Sequence, residues 1–177
     1  MTEQLKTITS MSTLEALVGA KITQELDGWV AKYPANKKRS AVMAGLMMVQ
    51  KANKGKLTPE LMDAVADYLG IPHVAAYEVA TFYSMYNMKD VGQYVINVCT
   101  NISCMLRGSD EVIEHLKERL NISVGETTKD GLFTLRTVEC LGACVGGPMF
   151  EVAEVYHEHL NPEKIDQILD RLAKPAS

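Results

Sequence analysis

Four cysteines hold most of the chemical potential of this 177-residue chain. They fall in two pairs, Cys99-x4-Cys104 and Cys140-x3-Cys144, with 35 residues between the pairs. Cys99 is expected to end a short β-rich strand, Tyr94–Val98, and Cys140 to end a second that alternates at Phe133, Leu135 and Thr137. If these strands lie side by side, both pairs emerge from one end of a sheet in adjacent loops. Four thiolates gathered there repel one another unless a cationic core neutralises them. Structural zinc usually takes its thiolates from C-x2-C knuckles, whose short loop aims both sulfurs at one ion. The x4 and x3 loops are wider, which suits a two-iron [2Fe–2S] rhomb in which each iron needs its own pair. Zinc, disulfides and reduced core thiols are the competing readings of the same spacing. Gly142 and Ala143 separate Cys140 from Cys144, and Gly146-Gly147-Pro148 follow. Residues this small let backbone N–H groups come close to bridging sulfides.

The elements that must position these cysteines change character near Asp90. Ser12 and Glu15 have capping-box spacing, and Leu14, Leu17, Val18, Ile22, Leu26, Trp29 and Val30 predict a helix over about 13–33, ended near Pro34. Val42, Leu46 and Val49 predict a second over about 36–53, with Gly55 just past its end. Thr58-Pro59 begins a third, with Leu61, Val65, Tyr68 and Leu69 inward and Gly70 as its stop. Pro72 opens a fourth in IPHVAAYEVATFYSMY. Beyond Asp90, strand Tyr94–Val98 is followed by a helix from Gly108-Ser109 with Val112, Ile113, Leu116 and Leu120 inward, then by the strand at Phe133–Thr137. Met149–Val152 and Val155–His157 form a hairpin joined by Ala153-Glu154, which is weak turn chemistry beside Asn-Gly. Asn161-Pro162-Glu163 caps a last helix with Ile165, Ile168, Leu169 and Leu172 inward. The expected class is α+β: a flexible N-terminus over 1–12, a helical bundle domain over 13–90, and an α/β domain with a small mixed sheet over 91–177.

Composition narrows the function classes. The chain is 47% hydrophobic and 23% charged, ordinary for a globular protein. Residues 1–90 carry 10 Lys and Arg against 9 Asp and Glu, net +1; residues 91–177 carry 8 against 13, net −5. The acidic half has no basic face for phosphates, so nucleic acid is excluded as a partner. The longest apolar run, Ala41–Val49, falls far short of the roughly 20 residues a bilayer needs. No secretory or Arg-rich targeting pattern opens the sequence, so a cytoplasmic, reducing location is expected and structural disulfides are not. No Gly-rich dinucleotide fingerprint occurs, so neither NADH nor flavin is expected on this chain itself. His73, His115, His157 and His159 read as surface or core histidines rather than ligands, and Met43, Met47 and Met48 as core filler. Phe82-Tyr83-x2-Tyr86 reads as a buried helix face more readily than as a docking surface. Lys37-Lys38-Arg39 reads as a solvated helix start.

VCTNISCMLRGSDEV followed by VECLGAC-x3-P resembles the thioredoxin-like [2Fe–2S] ferredoxins, and within them the small iron–sulfur E subunits of NADH:quinone oxidoreductase, respiratory complex I. LTPELMDAVADYLGIP and VATFYSMY in the helical half, DGLFTL, and NPEKIDQIL near the end carry the resemblance over nearly the whole chain. It implies that Cys99, Cys104, Cys140 and Cys144 bind one [2Fe–2S] cluster and that the acidic half has a thioredoxin-like fold. It also implies electron transfer beside a flavin- and NADH-binding partner subunit, which alone holds FMN and NADH. The other peripheral-arm iron–sulfur subunits are implied partners, on the cytoplasmic face of the membrane and in a complex that moves protons. Similar subunits serve NAD-linked hydrogenases and formate dehydrogenases, and neighbouring genes distinguish these settings. Two positions depart from the family pattern: Gly147 precedes Pro148 where Ala is usual, and Ala153-Glu154-Val155 replaces a polar Asn-Asp turn. From another class, a zinc-stabilised interaction module without redox chemistry fits four cysteines but not their wide loops. A thioredoxin-type enzyme normally uses C-x-x-C, which is absent.

Overall fold

The computed structural model describes residues 13–174; the segment 1–12, including Ser12 of the expected capping box, lies outside the described residues. The chain divides into two compact units, Met1–Asp90 and Val91–Ser177.

The first unit is helical. Residues 13–18 are helical and the chain resumes as the helix Ala20–Val30, so the single helix expected over 13–33 is broken. Gly19 is the cause, at φ +84°, ψ +158°, a conformation that only glycine adopts without strain. Leu17 is half exposed, while Leu14 and Leu26 are fully buried. Trp29 is also exposed and carries the Lys32 ammonium 3.5 Å from its ring centroid. The helix expected over 36–53 is α-helical only from Val42 to Ala52. Ala35–Ala41 before it is a 3-10 stretch in which Lys37 leaves helical geometry, with Lys37, Lys38 and Arg39 exposed.

Thr58 caps the helix Pro59–Leu69 by accepting the Leu61 N–H, and Gly70 ends it. Leu61, Val65 and Leu69 are buried as expected; Tyr68 is half-buried and donates its hydroxyl to Asp27 Oδ1. Burial, then that hydrogen bond, raises its pKa. The helix His73–Phe82 stops earlier than its sequence suggests. Tyr83 turns to extended backbone (φ −92°, ψ +124°), so the helical spacing does not reach Tyr86. Phe82 is therefore 79% exposed and Tyr83 is exposed beside it, against the expectation of a buried face. Tyr86 alone is buried, its hydroxyl donating to the Met43 carbonyl at 2.9 Å.

A polar residue with no sequence signal organises this exit. Gln50 is 5% exposed; its Nε2 donates to the Met85 carbonyl at 3.0 Å and its Oε1 accepts the Asn87 N–H at 2.7 Å. Gln50→Leu leaves those two backbone groups without that partner and is expected to cost about 2–4 kcal/mol. Urea unfolding checks this, and a loss below about 1 kcal/mol would show that water replaces the amide.

His73 ties the last two helices together, Nε2 lying 2.8 Å from Asp67 Oδ1 and Nδ1 3.1 Å from Asp63 Oδ1. The hydrogen bond to Asp67, with the charges of Asp63 and Asp67, raises its pKa above 6.5 against a smaller desolvation. A raised folded value means that the pairing stabilises fully below pH 6.5 and fades as pH rises through the folded pKa. The thermal-midpoint gap between wild type and His73→Gln should therefore shrink from about pH 5.5 to about pH 8.5. A gap constant across that range overturns the assignment.

The second unit is a two-layer α/β sandwich. Its sheet has the order β2-β1-β3-β4, with β1 Tyr94–Cys99, β2 Phe133–Val138, β3 Phe150–Val152 and β4 Val155–His157. β1 and β2 run parallel; β3 is antiparallel to β1 and to β4, giving the mixed sheet expected. Ile96, Val98, Phe133, Leu135, Phe150 and Val152 form one buried face. The helices Ser109–Leu120 and Pro162–Ala173 cover it through Val112, Leu116, Ile165, Ile168 and Leu169. The opposite face is polar, with Asn97 Nδ2 donating across strands to Glu151 Oε2 at 2.7 Å. The β3–β4 hairpin forms although Ala153 and Glu154 both take positive φ, 52° and 63°. Burial of Phe150 and Val152 outweighs a left-handed penalty of about 1–2 kcal/mol per residue.

Candidate metal centre

Parallel pairing decides where the cysteines emerge. Tyr94 stands opposite Phe133 and Cys99 opposite Val138, so both strands end at the same edge. Cys99 closes β1, whereas Cys140 lies two residues beyond the end of β2 rather than ending it. The Thr100 N–H donates to the Val138 carbonyl at 3.0 Å, tying the two loop entrances together. Asn101 Nδ2 donates to Glu139 Oε2 at 2.9 Å, a second tie one residue before Cys140.

Each loop has its own scaffold. The Asn101 carbonyl accepts the N–H groups of Cys104 and Met105, winding the short helix Ile102–Met105 that turns Cys104 inward. In the second loop the Gly142 N–H points at Cys140 Sγ, 3.3 Å away, and Cys144–Gly146 form one 3-10 turn. The Tyr156 hydroxyl donates to the Leu141 carbonyl at 2.8 Å, so β4 braces this loop. Gly147 closes the arrangement: a Cβ there would stand 3.1 Å from Cys104 Sγ, which leaves little room for the usual Ala.

The sulfurs are grouped two by two. Cys99 and Cys104 are buried in a small cluster with Met149, against which Leu141 and Ala143 of the second loop pack. Cys140 and Cys144 are exposed, their sulfurs 3.6 Å apart. Two thiolates about 2.3 Å from one tetrahedral metal stand about 3.8 Å from each other, so this pair already has the bite for one metal. The Cys104 thiol connects the pairs. Burial, then the hydrogen bond and charge of Cys99, and lastly the charge of Cys144, push its pKa up to about 11. The Cys104 thiol therefore lies within electrostatic reach of both Cys99 and Cys144, and it resists ionisation without a cation to offset the charge. Among the described residues, no three His, Cys, Asp or Glu side chains gather around a single point closely enough to hold one ion. Soft thiolate donors in two adjacent pairs fit a dinuclear iron–sulfur group in their chemistry and in their grouping.

Three of the four histidines have side-chain partners away from the sulfurs, His73 with Asp63 and Asp67 among them. His115 pairs with Asp166 at 3.0 Å, and His157 lies 5.4 Å from the Phe150 ring, where burial and the charges of Arg171 and Lys164 lower its pKa. Three contributors escape a sequence reading: the Asn101–Glu139 tie, the Tyr156 brace, and Arg107, whose Nη1 donates to the Val145 carbonyl at 2.6 Å. All join segments far apart in the chain, and no local pattern announces them.

Known proteins resemble this arrangement. The family model for thioredoxin-like [2Fe-2S] ferredoxin matches residues 26–173. The NADH-quinone oxidoreductase E subunit of Rickettsia conorii is 44% identical over 143 residues, which is 81% of this chain and 86% of that protein. The same-named protein of Rickettsia bellii is 46% identical over the same shares, and the NADH-quinone oxidoreductase E 2 subunit of Rhizobium meliloti is 42% identical over 83% of this chain and 86% of its own length. A chain of the NAD+-reducing [NiFe]-hydrogenase in its H2-reduced state shares the fold, with a TM-score of 0.63 at 17% identity. That match covers 74% of this chain and 23% of the hydrogenase chain. With two cysteine loops at one edge of a mixed sheet and the family pattern running through both units, this chain belongs to the thioredoxin-like [2Fe–2S] ferredoxin family.

Proposed function

We propose that this chain is the electron-transfer subunit of an NADH:quinone oxidoreductase, with one [2Fe–2S] cluster held by Cys99, Cys104, Cys140 and Cys144. The observation that carries the reading is the two-by-two grouping of the sulfurs, in a chain 44% identical to a protein named as the E subunit of that enzyme. A lone tetrahedral zinc ion needs all four sulfurs around one point, whereas two irons need a pair each. When bound, the cluster takes up and returns one electron at a time.

The chain's own residues position and tune. Buried Cys99 and Cys104 anchor one side, and exposed Cys140 and Cys144 present the other to a partner. The net charge of −5 over residues 91–177 opposes each added electron, which lowers the reduction potential. In this reading residues 91–177 form the ferredoxin domain and residues 13–90 a helical clamp on a flavin- and NADH-binding subunit. The assembly also includes other peripheral-arm iron–sulfur subunits and sits on the cytoplasmic face of the membrane, where the whole complex translocates protons. No helix among the described residues is long and apolar enough to cross a bilayer.

Anaerobic purification is the test. About two iron and two sulfide per chain are expected, with a one-electron paramagnetic signal on reduction and no NADH oxidation until a flavoprotein partner is added. Stoichiometric zinc in a colourless protein, or NADH turnover by the chain alone, overturns the reading.

A further inference from the structure

The turn that carries Cys144 has little stiffness of its own, with Gly142, Gly146 and Gly147 in six residues. The carbonyls from Ala143 through Pro148 are nonetheless all occupied. The Gly146 carbonyl accepts the His159 N–H at 2.6 Å and the Pro148 carbonyl accepts the Leu160 N–H at 3.1 Å, both from the segment after β4. The Val145 and Gly147 carbonyls between them accept from Arg107 Nη1, at 2.6 and 3.4 Å. Arg107 belongs to the opposite loop: its N–H donates to the Cys104 carbonyl at 3.1 Å, so its backbone is part of the turn that holds Cys104. Gly147 lies between the two, since a Cβ there would meet Cys104 Sγ at 3.1 Å and Arg107 Cδ at 3.4 Å.

On the reading that the four cysteines hold a cluster, we propose that Arg107 is a positioning residue which clasps the Cys144 turn onto the Cys104 turn. We further propose that its permanent positive charge raises the reduction potential of the group held between the two turns. Removing the Nη1 contacts frees the Cys144 turn on the side facing Cys104. Removing the charge leaves an acidic domain and four thiolates without this cation beside them.

Full-length wild type, Arg107→Gln and Arg107→Lys, loaded with iron and sulfide under anaerobic conditions, separate the two roles. Iron release to excess EDTA reads the clasp, and a dye-mediated potential titration followed by electron paramagnetic resonance reads the charge. Arg107→Gln is expected to release iron at least about tenfold faster than wild type and to titrate at a more negative potential. Arg107→Lys keeps the charge but replaces the planar Nη1 amino group that reaches both carbonyls with a shorter side chain ending in an ammonium, so it is expected to hold the wild-type potential while releasing iron faster. If Arg107→Gln does not fold or load, Arg107→Lys decides, and release at the wild-type rate overturns the clasp. An unchanged potential in Arg107→Gln overturns the electrostatic role. Wild type that takes up iron and sulfide while both variants match it refutes this inference and leaves the function standing; wild type that takes up neither removes both.

Discussion

Cys144→Ala is expected to give a chain that retains far less than the wild-type iron, on the order of one iron or fewer against about two, and loses the visible spectrum of the wild type. Cys144 and Cys140 form the exposed sulfur pair, 3.6 Å apart, so on the proposed ligand set the substitution would leave one metal with a single thiolate from that side. The buried pair, Cys99 and Cys104, cannot compensate, because it is fixed beside Met149 within its own small cluster. The helical unit has a separate core around Leu26, Leu46, Val65 and Ala76 and is expected to unfold at its wild-type midpoint. Iron and sulfide analysis beside a circular-dichroism melt checks both halves. Full iron content with an unaltered spectrum would show that the ligand set is wrong.

Phe150→Ala is expected to destabilise the second unit by about 3–5 kcal/mol. The Phe150 ring is fully buried on β3, opposite Val98 of β1 and His157 of β4, so its loss opens a cavity where three strands meet. The effect reaches the candidate metal centre through the preceding residue. Met149 packs against Cys99 and Cys104, and its carbonyl accepts the Cys99 N–H at 3.2 Å. Phe150→Leu, which keeps most of the volume, should cost less than about 1.5 kcal/mol. Urea titration of the variants reads both losses as shifts in midpoint. Equal losses for the two substitutions would mean that packing of the ring is not what holds β3.

Local signals in the chain were reliable where the physics is local. Thr58-Pro59 with Gly70, and Asn161-Pro162 with its side chain accepting the Lys164 N–H, mark helix ends because capping involves neighbours three residues apart. The strands around Cys99 and Cys140 stand out because alternation has a period of two. Misreadings came where one residue overrides a pattern. The apolar spacing of the first segment runs on through a single helix, but Gly19 breaks it between residue 18 and Ala20. Tyr86 fits the spacing from Phe82, but the backbone has already left the helix at Tyr83. The hairpin at Ala153-Glu154 contradicts turn propensity, because the burial of Phe150 and Val152 is a tertiary gain that no dipeptide encodes.

The sequence by itself determined the chemistry: four soft sulfur donors in two pairs, the strands that precede them, and a fold family whose pattern covers both units. Tertiary structure alone decided how those donors meet. Parallel pairing of β1 with β2 brings together cysteines separated by 35 residues, buries one pair and leaves the other at the surface. Packing within each unit also recruits side chains, Gln50 in the helical unit and Asn101, Tyr156 and Arg107 in the second, through hydrogen bonds to partners 15 to 40 residues away. Such partners are set by which segments the core brings together, and a side chain's donors and acceptors have no preference that a linear pattern could reveal.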